Sequence, residues 1–219
     1  MYTLVQTIQQ LVKERFESFE GSHDWFHIER VWKTAQFIQS QEGGNREVIE
    51  LAALLHDIAD HKYNDGDYQK GEKVAYELLI SKGASEDLAT EVSKIIGIVS
   101  FKGANVADEK APLEGQIVRD ADRLDAIGAI GIARAFAYGG SRNRPLYNPE
   151  IEPRLHFSKE DYYKSKSHTI NHFYEKLLLL KDRMETPTAK ILADERQKVM
   201  LDFLVQFKKE WEINVDFNS

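Results

Sequence analysis

The chain is predicted to be an all-α, single-domain helical bundle. Two observations predict this: apolar residues recur at helical spacing almost throughout, and no stretch alternates like a strand. A third is the punctuation, short loops carrying cap residues and no internal repeat or low-complexity linker. The elements follow in order. A first helix spans about residues 2–19 and a second about 24–41, ended by "EGGN". Asn45 then caps a third, which runs to His56 or slightly beyond. After the turn "NDGD" a fourth helix reaches Lys82, with Gly83 as its C-terminal glycine, and Ser85 opens a fifth to about Val99. Pro112 suits the first turn of one long helix through "LEGQIVRDADRLDAIGAIGIARAFAY", whose glycines allow bending or close packing. The segment 139–156 is the least regular. Two long helices, about 158–183 and 188–213, are expected to close the bundle, with Thr186 and Pro187 as cap and first-turn pair. The expected domain is the whole of 1–219, with its chemical core at about 20–135.

Composition narrows the function. A chain of 219 residues with 42% hydrophobic content can bury a substantial core. A formal charge of -7 argues against general affinity for nucleic acid polymers or anionic membranes, because both require clustered Lys and Arg. Cysteine is absent, which removes disulfides, thiolate metal sites and cysteine nucleophiles. The N-terminal residues lack the apolar core of a signal peptide, and the longest apolar run, 126–133, is too short for a membrane span. These features predict a soluble, cytoplasmic protein acting on a small molecule.

Three polar clusters interrupt the apolar faces. In "HDWFHIERVWKTA", His23, Asp24, His27 and Arg30 share one helical face. In "ALLHDIADHK", His56 and Asp57 end an apolar face made by Val48, Leu51, Ala52 and Leu55. In "IVRDADRLDAIGAIG", Arg119, Asp122 and Asp125 follow at three-residue intervals into an apolar stretch. A buried carboxylate is costly without a compensating charge, so packing that brought Asp122 to His27, His56 and Asp57 around a metal ion would account for all three clusters. Trp25, Trp32, Phe26 and Phe37 read as core, and His61, His156, His168 and His172 as ordinary packed or surface histidines.

With His27 in "HDWFHIERV", His56 and Asp57 in "LLHDIADHK" and Asp122 in "RDADRLDAIGAIG", the sequence resembles the HD-domain phosphohydrolase superfamily. "SFKG", "AFAYGG" and "HFYEKLLLLKDRM" extend the likeness to a small bacterial branch, some of whose members are similar to manganese-dependent nucleoside triphosphate pyrophosphohydrolases. The resemblance implies an all-helical fold, a divalent metal held by His27, His56, Asp57 and Asp122, and hydrolysis of nucleotide phosphoanhydrides. Asp60 stands where some nucleotidase relatives carry Glu.

A thiolate-free set of two imidazoles and two carboxylates suits Mn²⁺, the favoured ion, or Mg²⁺, Fe²⁺ or Zn²⁺. The expected reaction takes a nucleoside triphosphate to monophosphate and pyrophosphate by a metal-activated water, with Asp57 and Asp60 as the catalytic carboxylates. Asp60, one helical turn past His56, is the candidate to orient that water or shuttle its proton. Lys62, Lys102, Arg119 and Arg123 are candidates to hold phosphates, and Arg30 to meet a phosphate or a carboxylate. His23 and Asp24 would stand behind the ligands and orient them or the substrate. The alternatives are a nucleotidase or phosphodiesterase acting at the same metal, a diiron oxygenase, and a non-catalytic nucleotide sensor. Within the first, only the cyclic-dinucleotide phosphodiesterase branch is set aside, because its Gly-Tyr-Pro signature is absent; the second has only His61 as a further imidazole before Asp122, and the intact ligand set counts against the third.

Overall fold

The computed structural model describes residues 3–17, 24–58, 69–99, 108–154 and 167–212, with 69 and 70 described by their backbone alone. Within them the chain is helical and contains no strand. The helices are α1 (Leu4–Phe16), α2 (Trp25–Glu42), α3 (Arg46–Leu55), α4 (Gln69–Ser81), α5 (Glu86–Val99), α6 (Leu113–Asp125), α7 (Gly128–Ser141), α8 (Thr169–Glu175) and α9 (Pro187–Trp211).

The caps read from sequence operate locally. Thr3 and Gln6 form a reciprocal capping box on α1. The Asn45 side chain accepts from the first turn of α3, and Thr186 accepts from Ala189 N with Pro187 in the first turn of α9. The central element is α3, "REVIELAALL", whose residues from Val48 to Leu55 are all buried. It lies among α1, α2, α5 and α6, and α2 also packs along α6. Its one buried acid, Glu50, accepts hydrogen bonds from Trp32 Nε1, Gln36 Nε2 and Arg46 Nε at 3.0, 2.9 and 2.5 Å. That network satisfies a carboxylate that would otherwise be costly to bury. No described helix is long and apolar enough to cross a membrane.

The structure departs from the sequence reading in four places. The expected long helix after Pro112 is two helices, α6 and α7, meeting at Ala126–Ile127. Pro112 stands at the N-cap position just outside the first turn of α6 and makes no side-chain cap bond. The corner requires Gly128, whose φ is +75° and whose missing Cβ would stand 2.9 Å from Arg196 Cγ on α9. Gly128→Ala is therefore expected to cost about 1–2 kcal/mol from the left-handed backbone alone. This should appear as a melting temperature lowered by about 2–8 °C in a thermal denaturation scan.

The second departure concerns residues 158–183, expected as one helix. Residues 155–166 lie outside the described set, and the remainder is the short α8 followed by two 3₁₀ turns, Leu177–Leu179 and Lys181–Arg183. Four consecutive leucines cannot share one α-helical face. The tighter turn spacing buries Leu177 and Leu180, and Met184 follows them into the core. Third, α3 stops at Leu55 with His56 as its C-cap, so the chain turns at the histidine and does not carry the helix beyond it. Fourth, Trp25 is buried as expected, but Phe26 and Phe37 are more than half exposed and belong to no core.

Candidate metal centre

Three helix segments meet at one point. His27 lies in the first turn of α2, His56 and Asp57 follow the end of α3, and Asp122 projects from α6. Asp24 caps α2 and accepts from the backbone N–H of His27 at 2.9 Å, which fixes the turn carrying that histidine.

The imidazoles are buried and their tautomers follow from their partners. His56 Nδ1 lies 2.7 Å from the Ala53 carbonyl, which can only accept, so Nδ1 carries hydrogen and Nε2 is left facing inward. His27 Nδ1 donates to Asp125 Oδ2 at 2.7 Å, which leaves its Nε2 inward as well. The two Nε2 atoms stand 3.3 Å apart. Asp57 Oδ2 lies 3.5 and 3.6 Å from His27 Nε2 and His56 Nε2, and Asp122 Oδ1 lies 3.6 and 3.9 Å from the same two atoms.

Two nitrogen lone pairs facing each other between carboxylates call for positive charge. Metal–ligand bonds of about 2.1 Å separate neighbouring ligand atoms by about 3.0 Å in an octahedron and about 3.4 Å in a tetrahedron. The two nitrogens fall inside that range at 3.3 Å and the four nitrogen–oxygen spacings, 3.5 to 3.9 Å, lie above it, and the donor set of nitrogen and oxygen without sulfur fits a borderline-to-hard divalent ion. His27, His56 and Asp57 each offer a ligand atom within 4.8 Å of the others. The imidazoles form the floor, while the Asp57 and Asp122 side chains remain 17% and 32% exposed and open the site to solvent.

In the metal-free protein a proton supplies the charge. Burial pulls the His27 pKa down, but the hydrogen bonds with Asp125 and Asp57 outweigh it and push the group up to about 9. Because this is above the ordinary value of about 6.5, His27 contributes stability that is fully present below about pH 6.5. That contribution is lost as pH rises through about 9. Thermal melts of metal-free protein from pH 6 to 10 should show a decline that His27→Gln lacks.

The remaining candidates separate. Arg119 and Arg123 do not reach the site. Arg119 is buried and donates to Glu185 Oε1, Ile98 O and Glu109 O at 2.8, 2.9 and 3.1 Å. Arg123 donates to Arg183 O and Asp108 Oδ1 at 2.6 and 2.5 Å. Arg119 thus ties α6 to the end of α5 and to the turn before α9, and Arg123 ties it to Asp108 and the Arg183 carbonyl; both guanidiniums expected to hold phosphates are engaged by protein acceptors. Of the two partners expected for Arg30, the structure supplies the carboxylate of Asp125. His168 caps α8, its Nδ1 accepting from Asn171 N. Burial, with Lys176 and Arg144 nearby, pushes His172 down to about 3. His23, Asp60, His61, Lys62, Lys102 and His156 lie outside the described residues.

Sequence reasoning missed the roles of Asp125 and Arg134. Asp125 was visible as a carboxylate one turn beyond Asp122. Its bond to His27 follows from the crossing of α2 and α6. Arg134 Nη1 reaches Asp125 Oδ2 at 2.6 Å only because the chain turns between α6 and α7.

A helical bundle that gathers His, His-Asp and Asp from three helices is the signature of a metal-dependent phosphohydrolase class, and the comparisons agree. Residues 25–127 match the HD domain model, and the chain belongs to the HD-domain family. Over 206 residues it is 37% identical to YpgQ of Bacillus subtilis, covering 94% of this chain and 92% of YpgQ. The crystal structure of a Lactobacillus plantarum protein superposes with TM-score 0.83 at 39% identity, over 96% of this chain and 99% of that one. An HD-superfamily hydrolase from Bacillus thuringiensis gives TM-score 0.75 at 41% identity over 96% and 97% of the two chains. YpgQ in complex with ADP gives 0.75 at 34% identity over 94% of each.

Proposed function

We propose that this chain hydrolyses nucleoside triphosphates to monophosphate and pyrophosphate, with Mn²⁺ as the preferred metal. The observation that carries the reading is the convergence of His27 Nε2, His56 Nε2, Asp57 and Asp122 on one partly open point. The ADP complex of YpgQ, a relative 34% identical over nearly the whole chain, supports a nucleotide as the substrate class.

A divalent ion bound there would supply Lewis-acid polarisation of a phosphoryl oxygen and a lowered pKa for water. The protein supplies the rest. His27 and His56 present fixed nitrogens from a dry floor, so the donor set is organised before anything binds. Asp57 and Asp122 stand at the open side, where a phosphate group approaches from solvent. Asp60 handles the proton of the attacking water, and Lys62 and Lys102 neutralise phosphate oxygens. Arg119 and Arg123 are bonded to Glu185, Asp108 and backbone carbonyls, so the phosphate-holding role falls to these lysines and not to them.

A panel of nucleoside mono-, di- and triphosphates incubated with Mn²⁺, with pyrophosphate and orthophosphate read separately, tests this. Pyrophosphate released from triphosphates is the expected result. Orthophosphate alone would make the protein a nucleotidase, and metal and nucleotide binding without turnover would make it a sensor.

A further inference from the structure

His27 is held from behind by an ionic clamp. Asp125 accepts from His27 Nδ1 at 2.7 Å. Arg30 donates to it twice, through Nε to Oδ1 at 2.6 Å and through Nη2 to Oδ2 at 3.0 Å. Arg134 Nη1 adds a third basic contact at 2.6 Å. Asp125 is only 4% exposed, and burial alone would favour its neutral form. Its two oxygens are instead met by His27 and two guanidiniums, which have only hydrogens to give, so every hydrogen bond it makes with them is one it accepts. An ionised carboxylate can only accept, so the hydrogen of His27 stays on Nδ1 and its Nε2 stays turned toward His56, Asp57 and Asp122. His56 obtains the same result from the Ala53 carbonyl, which no side-chain substitution removes. The two histidines are therefore oriented by different means, and only one of these can be altered by mutation.

We propose that Asp125, clamped by Arg30 and Arg134, is the positioning residue that sets the tautomer and ring orientation of His27, and with them the affinity of the site for a divalent cation. The inference rests on the reading of His27, His56, Asp57 and Asp122 as a metal centre. It assigns Arg30 to the support of a ligand and takes it away from the substrate.

Charge provides a discriminating sign. Were Arg30 felt at the site only through space, removing its positive charge would tighten cation binding. If it acts through Asp125, removing it loosens the carboxylate and weakens binding. Isothermal titration of Mn²⁺ into wild type, Asp125→Asn and Arg30→Gln, with folded fraction, kcat and nucleotide KM measured on the same preparations, decides between them. Asp125→Asn is expected to weaken Mn²⁺ binding by about 10- to 100-fold. Arg30→Gln should weaken it less, and nucleotide KM at saturating Mn²⁺ should stay near wild type in both. Unchanged Mn²⁺ affinity per folded molecule in Asp125→Asn would overturn the proposal. So would Mn²⁺ binding that is tighter or unchanged in Arg30→Gln, including the case where KM rises because Arg30 meets the substrate. Should Asp125→Asn fail to fold, Arg30→Gln, whose side chain is 36% exposed, decides alone. A wild type that binds Mn²⁺ without hydrolysing nucleotide removes the proposed reaction and leaves the affinity comparison valid. A wild type that binds no Mn²⁺ removes both.

Discussion

Asp57→Ala is expected to fold, to bind no stoichiometric divalent metal and to show hydrolysis at background. The Asp57 carboxylate is the nearer of the two acids to both imidazoles, at 3.5 and 3.6 Å from His27 Nε2 and His56 Nε2. Removing it leaves two neutral donors and the more exposed Asp122 to offset a doubly charged ion. The loss in metal affinity should exceed the roughly 10- to 100-fold that removing a group behind a ligand costs. Metal analysis after dialysis and a pyrophosphate-release assay check this together. Because Asp57 also helps hold His27 protonated in the metal-free protein, the melting temperature of the metal-free variant should fall somewhat at neutral pH, so metal content and turnover are compared per folded molecule. Wild-type turnover in Asp57→Ala would mean that the chemistry occurs elsewhere in the molecule.

Asp60→Asn is expected to keep the metal and to lower kcat by on the order of 10² to 10⁴-fold, the usual worth of a positioned acid or base. Asp60 follows His56 by four residues, and α3 ends at Leu55. The case for Asp60 therefore rests on its place in the His-Asp motif and no longer on a continuous helix. The competing explanation is that it only pairs or caps locally. That explanation predicts a lower melting temperature with turnover per folded molecule unchanged, so metal content, melting temperature and kcat should be measured on one preparation. A variant that retains metal and wild-type kcat has lost nothing catalytic.

The sequence was most informative where one residue type has few reasons to occupy its position. Asn45 and Thr186 before apolar-periodic runs marked helix starts closely, because a capping side chain acts within its own turn. His56 and Asp57 at the end of a wholly apolar helix face required a polar partner, and the structure brings His27 and Asp122 beside them. The direction of long side chains was not legible. Arg119 lies three residues before Asp122 on α6, yet its guanidinium runs the other way, to Ile98 O and Glu185. A flexible stem lets tertiary partners far along the chain decide where the charge ends up. The break between α6 and α7 was hidden for a similar reason. The run from Pro112 to Tyr138 is helix-compatible throughout, and the need for a corner appears only when Arg196 of α9 lies against Gly128. Likewise "LLLLK" carries helical residue types, and burial of Leu177 and Leu180 overrides their local preference.

The Gly128 corner sets the size of the unit that could be transplanted or recombined between relatives. The recognisable family segment closes at residue 127, one position before the corner glycine. Beyond it, Arg134 reaches back to the carbonyl and side chain of Asp125, and Arg196 donates to the Leu124 carbonyl at the end of the ligand-bearing helix. A chimera cut at 127 would inherit His27, His56, Asp57 and Asp122 with the C-terminus of α6 left to whatever the host supplies. The inheritable module is consequently discontinuous, α2 through α7 together with the stretch of α9 around Arg196. Crossovers placed within 142–154 that retain α9 from the same parent should yield intact metal sites more often than crossovers at the family boundary.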